Sequence, residues 1–299
     1  MDGSGAETEQ GHERLAQTLR AALPGLGLPQ DGWQPLSGGR SNRAWRVATP
    51  GGDLVVKLYR PAAASALFPN DARAEAAALR ALADTGLAPR LAATQDTSEG
   101  SCILYHHLPG PSWAEADLPA PEAAGLLRRL HARPCPPGLR AAPNGSETLR
   151  QAIRAQLGHG PDSEALLARL PDDRIAEGPV CFLHGDPVPG NVILTPQGER
   201  LIDWQCPAVG DPCLDLALML SPAMHWLYRG KALDPGTAAR IAADYWAGHP
   251  DGAARYRRLI PFLQARIAAY CLWRARRGSA PDARAAALEI AALEAATGR

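Results

Sequence analysis

Residues Val180–Asp215 read VCFLHGDPVPGNVILTPQGERLIDWQCPAVGDPCLD. Three short apolar runs lie in this stretch: Val180–Leu183, Asn191–Leu194 and Arg200–Trp204. Pro, Gly and Asp punctuate the gaps, so the runs read as short strands joined by loops. Four polar residues stand at the ends of those runs: His184, Asp186, Asn191 and Asp203. An Asp, an Asn shortly after it, and a second Asp at the end of the next strand form a constellation used in phosphoryl transfer. In that reading Asp186 receives the proton of an attacking hydroxyl, and Asn191 and Asp203 hold magnesium against nucleotide phosphates. Magnesium is a hard cation with a strict octahedral shell, so it calls for oxygen ligands of this kind.

The same segment resembles the aminoglycoside phosphotransferase and choline kinase superfamily, whose fold is related to that of protein kinases. The family's His-x-Asp-x-x-x-x-Asn loop corresponds to His184-Gly185-Asp186-Pro187-Val188-Pro189-Gly190-Asn191. Its Ile-Asp-Phe/Trp-Glu motif corresponds to Ile202-Asp203-Trp204-Gln205, and its Gly-Asp-Pro-x-x-Asp-Leu-Ala motif to Gly210 through Ala217. Two positions depart. Gln205 stands where the family has Glu, and Pro187-Val188 where it often has Leu-His. The resemblance implies an α+β, two-lobed protein-kinase-like fold. An N-terminal antiparallel sheet lobe would span residues 1–108, and a mainly helical catalytic and acceptor-binding lobe residues 109–299. ATP and Mg2+ would be the cofactors, with the nucleotide in a crevice between the lobes.

Upstream, Trp33–Val47 reads as strand, glycine turn, strand. Glycine lets backbone amides approach a phosphate closely. Gly38-Gly39 followed by Ser41-Asn42 resembles the nucleotide loop of choline kinase-like proteins. No Walker A or Gly-x-Gly-x-x-Gly pattern follows a strand anywhere. Asp53–Tyr59 (DLVVKLY) is a β-rich run with Lys57 inside it. Two readings of Lys57 are open. It faces water on a one-sided strand, or it grips the α- and β-phosphates and pairs with a helix glutamate. Glu75, near the start of the Ala- and Leu-rich helix Asp71–Thr85, is the candidate partner. Ser101–Leu108 reads as the last strand of the first lobe. Backbone groups of Tyr105 to Leu108, among them Tyr105 and His107, are the expected adenine contacts. The adjacent pair His106-His107 points to opposite faces of a strand and so makes a poor metal site.

Composition bounds the alternatives. The formal net charge of zero provides no global field for nucleic acid or an anionic membrane. No apolar run approaches the ~18 residues that a membrane span needs, and the polar N-terminus lacks a signal-peptide core. The six cysteines form no Cys-x-x-Cys pair and read as reduced thiols of a cytoplasmic protein. Residues 1–11 read as disordered, and helical spacing starts at His12. Helices dominate after Pro109, including Leu216–Met224, Thr237–Ala247 and Ala253–Arg276, where Pro261 is expected to kink or split the helix.

The acceptor is a small hydroxyl compound in this reading. Only seven residues separate Asp203 from Asp211, too few for the long activation segment of a protein kinase. From Ser221 onward there are 12 Lys/Arg against 6 Asp/Glu, a poor match for a polycation. Aromatic residues concentrate in the same region and suit a single ammonium. A choline-, ethanolamine- or thiamine-like amino alcohol is therefore preferred. An aminoglycoside or sugar is the alternative acceptor, and a nucleotide-binding pseudokinase scaffold the alternative of another class.

Overall fold

The computed structural model describes residues 4–36, 41–60, 62, 64–116 and 122–298. They cluster into two compact units: Met1–Ala64 with Asn70–Pro109, and Ser65–Pro69 with Gly110–Arg299.

The first unit is built on a five-stranded antiparallel sheet. Its strands are β1 (Gln34–Pro35), β2 (Arg43–Val47), β3 (Leu54–Leu58), β4 (Leu91–Thr97) and β5 (Gly100–His106), in the order β1-β2-β3-β5-β4. Two helices accompany it, α1 (Ser4–Ala22) and α2 (Ala72–Ala81). Leu15 and Leu19 of α1 pack against Trp45, Val47, Leu54, Val56, Leu58 and Leu104 on one face of the sheet. Successive residues of a strand face opposite ways, so Val55 and Lys57 point to the other face. α2 reaches that face through Glu75. Every residue of β3 is therefore buried, and Lys57 is 3% exposed. The water-facing reading of Lys57 falls, because the sheet is covered on both sides.

α2 starts where the sequence allows it to. The Asp71 side chain caps it by accepting from the amides of Arg73 and Ala74, a contact worth about 1 kcal/mol. α1 begins at Ser4, well before the expected start at His12. The segment ahead of His12, SGAETEQG, has no apolar stripe. Amphipathic spacing therefore misses it.

The second unit is mainly helical: α3 (Ala123–His131), α4 (Ser146–Leu157), α5 (Pro161–Leu167), α6 (Cys213–Leu220), α7 (Pro222–Arg229), α8 (Pro235–Tyr245), α9 (Pro250–Ala275) and α10 (Ala280–Thr297). Two small sheets interrupt it. β6 (Arg140–Ala141), β7 (Cys181–Leu183) and β10 (Ala208–Gly210) form one, in the order β6-β10-β7. β8 (Val192–Thr195) and β9 (Gly198–Leu201) form a hairpin. β6 arises in what reads as a Pro-rich loop, because two residues leave no periodicity to detect. Pro222 ends the apolar run after Asp215 and opens α7 at its first turn, where its missing N–H costs nothing. Pro261 does not split α9, which runs unbroken for 26 residues. The segment Ser65–Pro69 joins this unit because Leu67 and Phe68 insert into its core, with the Phe68 ring edge-on to Tyr270 at 4.7 Å. Among the described residues no helix is long and apolar enough to cross a membrane. All six cysteines are free thiols.

Candidate functional site

In the second unit the loop between β7 and β8 holds Asp186 and Asn191, which are 5% and 6% exposed. The Asn191 amide nitrogen donates to the Asp186 carbonyl at 2.9 Å and to its carboxylate at 3.2 Å. That orientation turns the Asn191 carbonyl oxygen the other way. The Ile202 amide donates to the Asn191 main-chain oxygen at 2.9 Å, so the loop and the segment leading to Asp203 are tied together.

His184, fully buried, is the brace between them. Its Nδ1 accepts from the Asp186 amide at 3.1 Å, and its Nε2 lies 3.0 Å from the Ile202 carbonyl. An acceptor at Nδ1 and a donor at Nε2 describe one neutral tautomer. The ring also meets Trp204 edge-on at 4.3 Å. Asp203 follows directly, with φ of 62°. A non-glycine residue in the left-handed region is uncommon, and such strain concentrates at functional positions.

Asp215, at the start of α6, anchors the loop from below. Its two oxygens accept from the amides of His184 at 2.8 Å and Gly185 at 2.9 Å. His131 of α3 adds a third contact through Nε2 at 3.2 Å, and its Nδ1 lies 2.6 Å from the Tyr245 hydroxyl. Burial alone would raise the Asp215 carboxyl. Hydrogen bonds from His131 and Gly185 and the nearby imidazoles of His131 and His184 bring it below the usual carboxylate range. Asp211 is held by Arg255 at 2.7 Å. Two glycines permit close packing: a Cβ on Gly185 would sit 2.1 Å from the Cys206 carbonyl, and one on Gly190 2.5 Å from the Tyr228 ring. The two departures from the family pattern are both interior. Val188 is fully buried and packs with Cys206, Leu218 and Met224, and Gln205 is 3% exposed.

In the first unit the Lys57 ammonium lies 2.6 Å from the Glu75 carboxylate, and both side chains are buried. The Tyr59 hydroxyl donates to the same carboxylate oxygen, and Lys57 Nζ sits 5.0 Å from the Tyr59 ring centre. Tyr59 escapes a motif-based reading, although its place two residues after Lys57 puts it on the same face of the strand. Asn42 and Asn70 exchange amide hydrogen bonds at 2.7 and 3.0 Å, and Asn42 also accepts from the Arg60 amide. The Asn42 side chain thus fixes the start of β2 against the start of α2. Ser41 lies in the bend that precedes β2, and Gly38 and Gly39 lie outside the described residues. At the end of β5, Tyr105 is buried, and the His107 amide donates to the Asp53 carbonyl at 2.9 Å. That bond occupies the His107 N–H, so an adenine contact through this N–H is not open. Neither His106 nor His107 belongs to a metal cluster, since no group of three or more His, Cys, Asp or Glu side chains among the described residues is arranged to hold a metal.

A sequence profile described as "Phosphotransferase enzyme family" matches residues 32–261, more than half of the chain. The chain belongs to this phosphotransferase family. Solved structures agree on the fold of this phosphotransferase. A choline/ethanolamine kinase family protein from Mesorhizobium loti superposes with a TM-score of 0.65 at 17% identity, over 96% of this chain and 95% of that one. An aminoglycoside-3'-phosphotransferase of type VIII gives 0.55 at 27% identity, over 85% of this chain and 99% of that one. An amicoumacin kinase, solved with AMP-PNP and Ca2+, gives 0.62 at 14% identity, over 97% and 96%. No curated protein sequence matches the chain. The phosphotransferase thus has the fold of choline kinases and aminoglycoside kinases alike.

Proposed function

We propose that this phosphotransferase moves the γ-phosphate of ATP to a hydroxyl of a small molecule, with Asp186 as the catalytic residue. The observation that carries the proposal is the loop itself. Asp186, Asn191 and Asp203 are oxygen-bearing side chains, and two buried residues, His184 and Asp215, do nothing visible except hold them. A buried polar lattice of this kind is costly unless it is fully bonded. The bonds of His184, Asn191 and Asp215 that hold one carboxylate in place fit a site preorganised for catalysis.

In the reaction the acceptor oxygen forms a bond to the γ-phosphorus while the bond from that phosphorus to the β,γ-bridging oxygen breaks. The hydroxyl proton passes to Asp186, and ADP leaves. The donor set fits a hard divalent cation: Asn191 offers its carbonyl oxygen because its nitrogen is turned to Asp186, and Asp203 offers a carboxylate. Mg2+ bound there would neutralise phosphate charge. Residues 1–108 are read as the nucleotide-binding lobe, and residues 109–299 as the catalytic and acceptor-binding lobe. Lys57, oriented by Glu75, would hold the α- and β-phosphates. Gly38, Gly39, Ser41 and Asn42 would form the phosphate loop, and Tyr105 and His107 the adenine edge.

For the acceptor we favour an amino alcohol. Tyr228 of α7 packs directly on Gly190 of the catalytic loop, which brings an aromatic ring to that loop. Two other aromatic faces of this unit already carry guanidinium groups, Trp273 with Arg277 at 4.4 Å and Trp226 with Arg284 at 5.9 Å. Dense arginine of this sort does not suit a polycationic aminoglycoside. Magnesium-dependent ATP consumption, screened over amino alcohols, sugars and aminoglycosides, tests the reading. A protein that binds Mg-ATP yet consumes it neither alone nor with any acceptor would instead support the pseudokinase scaffold.

A further inference from the structure

Glu289 of α10 is a carboxyl set among helices and 1% exposed. Its Oε2 accepts from the Ser221 hydroxyl at 2.6 Å and from the Ala223 amide at 3.2 Å. Its Oε1 is buried with no partner among the described residues. Such a group is expensive to enclose, and both of its bonds go to one place. Ser221 ends α6 and caps α7, where its hydroxyl oxygen accepts from the Met224 amide at 3.1 Å. Glu289 therefore pins the joint between those two helices.

Both helices reach the loop that carries Asp186, from opposite ends. Asp215, in the first turn of α6, takes the amides of His184 and Gly185 at the start of the loop. α7 presents Tyr228, and Gly190 lies against its ring near the end of the loop. A second path from α7 runs through His225, whose ring meets Trp113 edge-on at 4.9 Å. The Trp113 amide donates to the Val192 carbonyl at 2.8 Å, and the Ala114 amide to the Pro189 carbonyl at 3.1 Å. Between the two ends, Val188 shares one apolar cluster with Leu218 of α6, with Ala223 and Met224 of α7, and with Ala285 and Ala286 of α10, one turn before Glu289. Close-packed interiors transmit a displacement instead of absorbing it. A shift of the joint is felt at residues 184–192.

We propose that Glu289 is a positioning residue for phosphoryl transfer: through the Ser221 hydroxyl and the Ala223 amide it fixes the joint of α6 and α7, and so holds the Asp186 loop in its working shape. This rests on the reading of Asp186 as the catalytic residue. Both donors at the joint need an oxygen to accept them, so glutamine serves in place of Glu289 and an apolar side chain of similar length does not.

Amide hydrogen exchange and steady-state kinetics on the full chain test this, with Glu289→Met, Glu289→Gln and Ser221→Ala. Glu289→Met should speed exchange across residues 184–192 at least roughly tenfold. Glu289→Gln should change it by less than about twofold, since its carbonyl accepts both bonds. With the best acceptor from the screen above, Glu289→Met should lower kcat roughly ten- to a hundredfold, and Glu289→Gln should keep at least about half of it. Ser221→Ala should lose at least as much as Glu289→Met. The double variant should lose no more than Ser221→Ala alone, because both changes break the same connection. Losses that multiply in the double variant, a glutamine as slow as the methionine, or faster exchange confined to residues 221–226 each overturn the proposal. If Glu289→Met does not fold, Ser221→Ala decides alone, and unchanged loop exchange and kcat in that variant overturn it. A wild type that transfers phosphate to no acceptor counts against the kinase reading, while exchange in the loop still decides whether Glu289 holds it.

Discussion

The two units treat buried charge in opposite ways. In the first, Lys57 is enclosed with the Glu75 carboxylate 2.6 Å away, and Tyr59 secures that carboxylate. In the second, the Glu289 carboxyl is buried with the Ser221 hydroxyl and the Ala223 amide as its donors and one oxygen without a partner among the described residues, and burial raises it to about 7. A cation that comes with its counter-charge is settled by the fold. A buried carboxyl without one is a cost that the fold carries.

The largest effect expected concerns activity, not stability. Asp186→Ala should slow phosphoryl transfer by roughly 10²–10⁴-fold, with melting temperature retained or raised because a buried carboxylate is removed. Steady-state assay alongside calorimetric melting checks both; undiminished turnover ends the assignment. In the first unit the order reverses. Glu75→Ala strands the Lys57 ammonium and should cost about 3–5 kcal/mol of stability, read by urea denaturation. A loss well under 1 kcal/mol would mean that the pair is not the buried interaction described. Tyr59→Phe removes one hydrogen bond to a charged group and should cost about 1.5–3 kcal/mol. It should also raise the KM for ATP if Tyr59 positions the Lys57–Glu75 pair; an unchanged KM would reduce Tyr59 to packing.

The smallest effect is a pH slope. Burial raises the Glu289 carboxyl from 4.5 to about 7, although it accepts from Ser221 and Ala223. The native state then binds more protons than the unfolded chain between those two values. Stability from this group is fully present below pH 4.5, falls as pH rises through that window, and is lost above about 7. Glu289→Gln should flatten that part of the curve and gain relative to wild type at pH 8. Parallel pH–stability curves for the two proteins would contradict it.

Much of the catalytic loop was legible from residue order because its chemistry is local. His184, Asp186, Asn191, Asp203 and Asp215 lie within one stretch, and their spacing alone calls for loop, strand and loop. Lys57 was readable as a charge inside an apolar strand. Its burial was not, because that depends on α1 and α2 covering both faces of the sheet. Tyr59 carried a faint signal in its alternation with Lys57. His131 and Tyr245 carried none, since their contact with Asp215 joins three distant helices.

The sequence by itself determined the fold class and the set of oxygen-bearing side chains, through strand and helix periodicity, punctuation by Pro and Gly, and short motifs in fixed order. Only the tertiary structure decided which charges are paired. Whether a buried arginine meets a carboxylate depends on strands and helices far apart in the chain, and no local pattern encodes that meeting. Arg255 looks like an ordinary surface residue until α9 brings it to Asp211.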